Sequence, residues 1–144
     1  MLVFDTNVLV YAVHRDSPFH LACFNFLEES RDNPEPAFLT WGICYEFMRV
    51  TTHPNVLGAP MSFSEAWEFL EDLIESSGFE VLGSTPRHAA VLSEILEELP
   101  DLRGSISHDL HTAVLMREHG ITRICSRDSD FRRFPFLTVI DPVN

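Results

Sequence analysis

The sequence predicts an α/β fold, a three-layer α/β/α sandwich around a mostly parallel sheet of about five strands, in one domain spanning residues 1–144. Three observations predict it. Apolar runs of strand length alternate with segments whose apolar residues recur at helical spacing. The first of those runs, Leu2 to Phe4, is continuously apolar, as in strands covered on both faces. Two of them, Leu2 to Phe4 and Ile121 to Cys125, give way to polar stretches carrying Asp5 and Asp128. Open parallel sheets bind ligands just beyond the carboxyl ends of their strands.

After the first strand, Val8, Leu9, Ala12 and Val13 mark a helix over Thr6 to Val13, with Thr6 or Asn7 available to cap it. A second helix is expected from Pro18 to Ser30, with Phe19, Ala22, Cys23, Phe26 and Leu27 on one stripe, and Arg31 to Pro36 as a loop. Ala37 to Thr40 is a short buried strand. From Trp41 a third helix puts Ile43, Phe47 and Val50 on one face, on which Glu46 also falls. Burying an ionised carboxylate is strongly unfavourable, so Glu46 needs a partner: Arg49 one turn on, or a cation.

Ser62 and Glu65 have the spacing of a capping box and open a fourth helix through Ala66, Phe69, Leu70, Leu73 and Ile74 to Ser77 and Gly78. Phe79 to Leu82 reads as a strand, and Thr85-Pro86 as the N-cap and first position of a helix leading to Leu99. Ser107 can cap a sixth helix through Asp109, Leu110, Ala113, Val114 and Arg117 to Gly120. Asp109 falls in its first turn, where the helix dipole alone favours an acid by ~0.3–1 kcal/mol. The strands Ile121 to Cys125 and Phe136 to Ile140 complete the chain.

The 144 residues are 45% hydrophobic, enough for a sizeable core without covalent staples. Cys23, Cys44 and Cys125 are odd in number and lack a C-x-x-C pair, which suggests buried free thiols in a reducing cytoplasm. No apolar stretch approaches the ~20 residues of a membrane span, and no signal peptide is evident, so a cytoplasmic protein is expected. A net charge of −12 argues against a general electrostatic grip on nucleic acid, and any polyanion must be held locally. All 10 basic residues counted as Lys and Arg are Arg, which suits bidentate contacts to phosphate or carboxylate.

Each acid has a structural explanation by itself, but the set points to chemistry. Asp5 and Asp128 follow strands at one sheet edge, Asp109 starts a helix entering from that edge, and Glu46 lies on a helix that follows a strand. Carboxylates gathered there repel one another, and a shared cation keeps them ionised. Oxygen-only ligands select a hard ion, Mg²⁺ or Mn²⁺, and the matching reaction is phosphodiester hydrolysis.

The sequence resembles PIN domains, and among them the toxin ribonucleases of VapBC toxin–antitoxin systems. The resemblance rests on D-T-N-V-L at Asp5 to Leu9, Y-E-F-x-R-V-x-T-H-P at Tyr45 to Pro54, H-D-L-x-T-A at His108 to Ala113, E-H-G at Glu118 to Gly120 and S-R-D-S-D-F at Ser126 to Phe131. It implies Asp5, Glu46, Asp109 and Asp128 as catalytic, metal-binding acids, Asp130 as an accessory, and Thr6, Asn7 and Ser126 as polar supports. It implies an RNA substrate, a cognate antitoxin and a homodimer. Arg49, Arg127, Arg132 and Arg133 are the nearest candidates for RNA phosphates, with surface ion pairs as their alternative use.

Other readings stay open at this point. A phosphatase with Asp5 as covalent nucleophile is disfavoured, because Asn7 stands where such enzymes carry a second acid and no Lys is present. A housekeeping PIN nuclease for RNA processing and a non-catalytic metal- or partner-binding module are the remaining alternatives.

Overall fold

The computed structural model describes residues 1–76 and 78–144. Its five strands are β1 (Leu2–Phe4), β2 (Ala37–Thr40), β3 (Phe79–Leu82), β4 (Arg123–Cys125) and β5 (Thr138–Ile140). All pair in parallel in the order β3-β2-β1-β4-β5. The sheet therefore starts at its centre, builds outward to β3, and then crosses to the other side of β1.

Six helices cover it: α1 (Thr6–Val13), α2 (His20–Asp32), α3 (Trp41–Thr51), α4 (Phe63–Ser76), α5 (His88–Glu98) and α6 (Ser107–Glu118). Helices α1 to α4 pack in a chain of neighbours and α5 packs on α6, giving the three-layer α/β/α sandwich. None of the described helices is long and apolar enough to cross a membrane.

The inner strands are buried on both faces, which is why they read as unbroken apolar runs: β2 is buried at all four positions. Phenylalanine fills the layers between sheet and helices. Phe4, Phe38, Phe47, Phe79, Phe131 and Phe134 are buried, while Phe19, Phe26, Phe69 and Phe136 pack against them. The Phe4 ring sits 5.4 Å from Phe79, and Phe47 stacks on Phe69 at 5.1 Å. Each fully buried ring contributes ~1.5–3 kcal/mol of transfer free energy. The three cysteines are buried free thiols.

Several element ends differ from the sequence expectation, each for a local hydrogen-bonding reason. Asp5, not Thr6 or Asn7, caps α1, its carboxylate accepting from the Thr6 N–H. Helix α2 begins at His20 rather than Pro18, because Ser17 Oγ accepts from the Phe19 N–H in a turn ahead of it. Thr85 lies ahead of α5, which starts at His88: its hydroxyl accepts from the Arg87 N–H and its carbonyl from the His88 N–H in a preceding turn, while its own N–H and hydroxyl donate to Glu118. Ser107 is the first residue of α6, which follows a 3-10 turn over Gly104–Ile106, with no side-chain cap.

Ile121 is excluded from β4 because its N–H closes α6 on the Met116 carbonyl, past Gly120 at φ 69°. At β5, Leu137 N–H turns back to the Phe134 carbonyl, so pairing begins at Thr138. The expected capping box of α4 forms, with Ser62 N–H donating to Glu65 and Glu65 N–H to Ser62 Oγ. The expected end of that helix at Ser77 lies outside the described residues.

Candidate active site

The connections from β1 and β4 leave in opposite directions, and the crevice beyond the carboxyl ends of two such strands is where parallel sheets place their sites. The register pairs Phe4 with Cys125, and Asp5 N–H donates to the Cys125 carbonyl at 2.9 Å. Asp5 and Ser126 thus emerge side by side.

Asp5 is only 6% exposed and fully engaged. Oδ1 accepts from Thr6 N–H at 2.8 Å, and Oδ2 accepts from Ser126 Oγ at 2.7 Å and Asn7 Nδ2 at 3.1 Å. Ser126 Oγ in turn accepts from Asp128 N–H at 2.9 Å, and Asn7 Oδ1 from Arg127 N–H at 3.2 Å. The three residues expected as polar supports therefore tie the two loops together around one carboxylate. Burial pushes the Asp5 carboxyl above its ordinary range; the Ser126 and Thr6 hydrogen bonds oppose this, and the Asp128 charge adds to it.

Asp128 caps the 3-10 turn Ser129–Arg133 by accepting from Asp130 N–H at 2.9 Å. Oxygens of Asp109, Asp128 and Asp130 lie within 4.8 Å of one another. Burial, then the charges of Asp5, Asp128 and Asp130, push the Asp109 carboxyl up to about 7. Asp130, expected as an accessory, is thus part of the tightest cluster.

Glu46 lines the same pocket as Asp5, Asp109 and Asp128 but stands outside that cluster. Arg49 donates to both its oxygens, at 2.6 and 3.0 Å, and this hydrogen bonding holds its carboxyl below the ordinary range. Of the two partners the sequence allowed, the structure shows arginine. Arg127 is likewise engaged, donating to Asp141 at 3.1 Å with its guanidinium 3.8 Å over the Phe19 ring. Arg132 and Arg133 are exposed on the 3-10 turn and make no ion pair among the described residues.

Sequence reasoning missed His108, which lines the pocket beside Asp109. Its Nε2 is buried with no hydrogen-bond partner, as is Thr6 Oγ1. Gly42 leaves room for this ring, since a Cβ there would lie 3.2 Å from His108 Cε1. Val10, Tyr11 and His14 also line the pocket, and a signal for the first two was present: they lie three and four residues after Asn7, on one face of α1, while His14 caps its end.

The donor set fits a hard divalent cation. It is oxygen-only, its carboxylates repel one another, and among the described residues no basic side chain pairs with Asp5, Asp109 or Asp128.

Fold and pocket together define a class: the chain belongs to the PIN-domain family, whose model matches residues 2–137. Within it, the similarity is to VapC ribonucleases. The chain is 35% identical over 139 residues to Ribonuclease VapC48 of Mycobacterium tuberculosis, covering 96% of this chain and 95% of that one. It is 30% identical over 146 residues to Ribonuclease VapC33 of the same organism, covering 99% of each. Among solved structures, VapBC2 from Rickettsia felis bound to a DNA fragment from its promoter superposes with a TM-score of 0.67 at 16% identity, covering 96% of both chains. At that identity the likeness is one of fold.

Proposed function

We propose that this chain is a divalent-cation-dependent endoribonuclease acting in the cytoplasm as the toxin of a type II toxin–antitoxin pair. The observation that carries the reading is the meeting of Asp5, Asp109 and Asp128 in one pocket, with Asp130 beside the last two, in a chain 35% identical to a VapC ribonuclease. Asp5, Glu46, Asp109 and Asp128 would hold Mg²⁺ or Mn²⁺, with Asp130 as a further oxygen donor. When bound, such a cation supplies a Lewis acid for the phosphodiester and lowers the pKa of the attacking water. Asn7, Ser126 and the Thr6 N–H fix the Asp5 carboxylate in one orientation. Arg132 and Arg133 are free to meet RNA phosphates, whereas Arg49 and Arg127 must first release Glu46 and Asp141.

A cognate antitoxin is the expected partner. A guanidinium inserted among the carboxylates would relieve the same repulsion that a cation relieves. Self-association is supported by an exposed aromatic face: Trp41 and Tyr45 on α3 and Phe63 on α4 are 49%, 69% and 66% exposed, and the Trp41 ring lies 6.2 Å from Trp67.

The deciding experiment incubates purified protein with single-stranded RNA and Mg²⁺ or Mn²⁺, with and without chelator. Cation-dependent internal cuts are expected, suppressed on co-expression with the product of the neighbouring reading frame. Cleavage without any such inhibitor would make the chain a housekeeping PIN nuclease, and no cleavage would make it a binding module.

A further inference from the structure

The pocket has a second half that the acids do not use. On α1, Val10 and Tyr11 continue the face that begins at Asn7, and His14 follows at the end of the helix; on α3, Val50 follows Glu46 by one turn; Val56 enters from the α3–α4 loop. They line the same cavity of about 480 Å³ as the carboxylates. That volume lies within the ~300–1,000 Å³ typical of small-molecule sites.

This wall is held in place. The Tyr11 ring packs edge-on against Phe19 at 5.2 Å, and Phe19 is covered by the Arg127 guanidinium, itself tied to Asp141. Val56 is 40% exposed on a turn closed by its own N–H to the His53 carbonyl at 3.2 Å and by Asn55 N–H to His53 Nδ1 at 3.1 Å. A fixed apolar wall open to solvent beside a row of carboxylates is suited to a ligand with both a charged and a flat apolar part.

Charge makes such a wall useful for binding RNA. Most nucleic-acid binders draw affinity from phosphate contacts. This chain carries a net charge of −12, and the two arginines nearest the acids are engaged by Glu46 and Asp141. Beside the phosphate contacts open to Arg132 and Arg133, contacts to the bases would add affinity. Single-stranded RNA offers them, because an unstacked base can leave the strand to lie on aromatic and apolar side chains and hydrogen-bond at its edge.

We infer that this half-pocket is a nucleobase subsite, taking the splayed-out base of a nucleotide that flanks the scissile phosphate. Tyr11, Val50 and Val56 contact the flat face of the base, and the His14 ring nitrogens meet its edge. The inference rests on the nuclease reading and narrows its substrate to RNA in which that base is free of pairing.

The test uses the full chain with Mn²⁺ and a random-sequence pool of single-stranded RNA, with the cut ends sequenced. Base enrichment is expected at one position adjacent to the cut. An abasic nucleotide there should raise KM about tenfold, in line with the loss of one base-stacking contact, with kcat little changed. Val56→Ser, on an exposed turn where folding is not at stake, should raise KM for the intact RNA and have no effect on the abasic one; Tyr11→Leu should do the same. An uncut pool overturns the nuclease reading and this inference with it. Cleavage indifferent to the flanking base, to the abasic substitution and to both variants overturns the subsite alone, and leaves the wall to a side chain of a protein partner. Duplex RNA cut as readily as single strands also overturns it.

Discussion

Ser126 Oγ donates a 2.7 Å hydrogen bond to Asp5 Oδ2 across 121 residues of chain. The contact exists only because β1 and β4 are neighbours in the sheet, with Phe4 in register with Cys125. The same hydroxyl accepts from the Asp128 N–H, so one serine positions two of the carboxylates.

Ser126→Ala should lower cation-dependent RNA cleavage by about 10–100-fold, the usual cost of losing a hydrogen bond behind a metal ligand. It should also cost about 1–2 kcal/mol of stability, because a buried carboxylate oxygen and an amide lose a partner. Cleavage rates and urea melts on the same preparation check both; unchanged rates would remove Ser126 from the supporting role.

Asp5→Asn should abolish cleavage and leave the fold intact, since the amide keeps the shape and removes the charge. Without cation, relief of the desolvated charge and its repulsion from Asp128 should roughly offset the amide NH2 now facing donors, so stability should stay within about 1 kcal/mol of the parent. Full activity in the purified variant would refute the proposed role.

The cation-free protein should lose stability as pH rises. Asp109 has an ordinary pKa of 3.8 and a folded value of about 7, so between them the folded state keeps a proton that the unfolded state has released. Asp5 is shifted in the same direction. Glu118, held low against its burial by hydrogen bonds from Thr85 and His88, has the opposite sign, and its contribution is lost only as pH falls below the ordinary carboxylate range. Asp109 is half-exposed, so after screening its loss should be about 1–2 kcal/mol, read from thermal melts with chelator at about pH 5 and pH 8. Asp109→Asn should flatten most of that slope, and Mg²⁺ should restore stability at the higher pH.

Arg49→Ala should change stability by no more than about 0.5 kcal/mol, as for an exposed pair one helical turn apart. It should nevertheless tighten Mn²⁺ binding by calorimetry, because Glu46 is released toward the pocket. Weaker binding would show that Glu46 serves Arg49 and not the cation.

Glu118→Ala should be the most damaging of these changes, at about 2–3 kcal/mol in urea melts. The Glu118 side chain is fully buried, and its loss strands Thr85 N–H, the Thr85 hydroxyl and His88 Nδ1, which sits 2.6 Å from it.

The sequence by itself determined the class of fold and which acids were candidates for the site. Central parallel strands are covered on both faces and read as apolar runs, so β1 and β2 declared themselves, and a carboxylate directly after such a run, as Asp5 is, sits at the sheet edge. Local spacing also sufficed for the capping box of Ser62 and Glu65. What the sequence left open depended on partners distant in the chain. Thr85 reads as a purely local helix signal, yet its N–H and hydroxyl also donate to Glu118, 33 residues on. Asp130 reads as peripheral until α6 brings Asp109 beside it, and Glu46 has two admissible partners that its own helix cannot choose between. Tyr11 and His14 share a face with Asn7 in any helix, but only the packing of α1 against α3 makes that face a wall of the pocket. Periodicity fixes which side chains share a surface; which surfaces meet, and which charges are then left without a partner, is decided when the layers close.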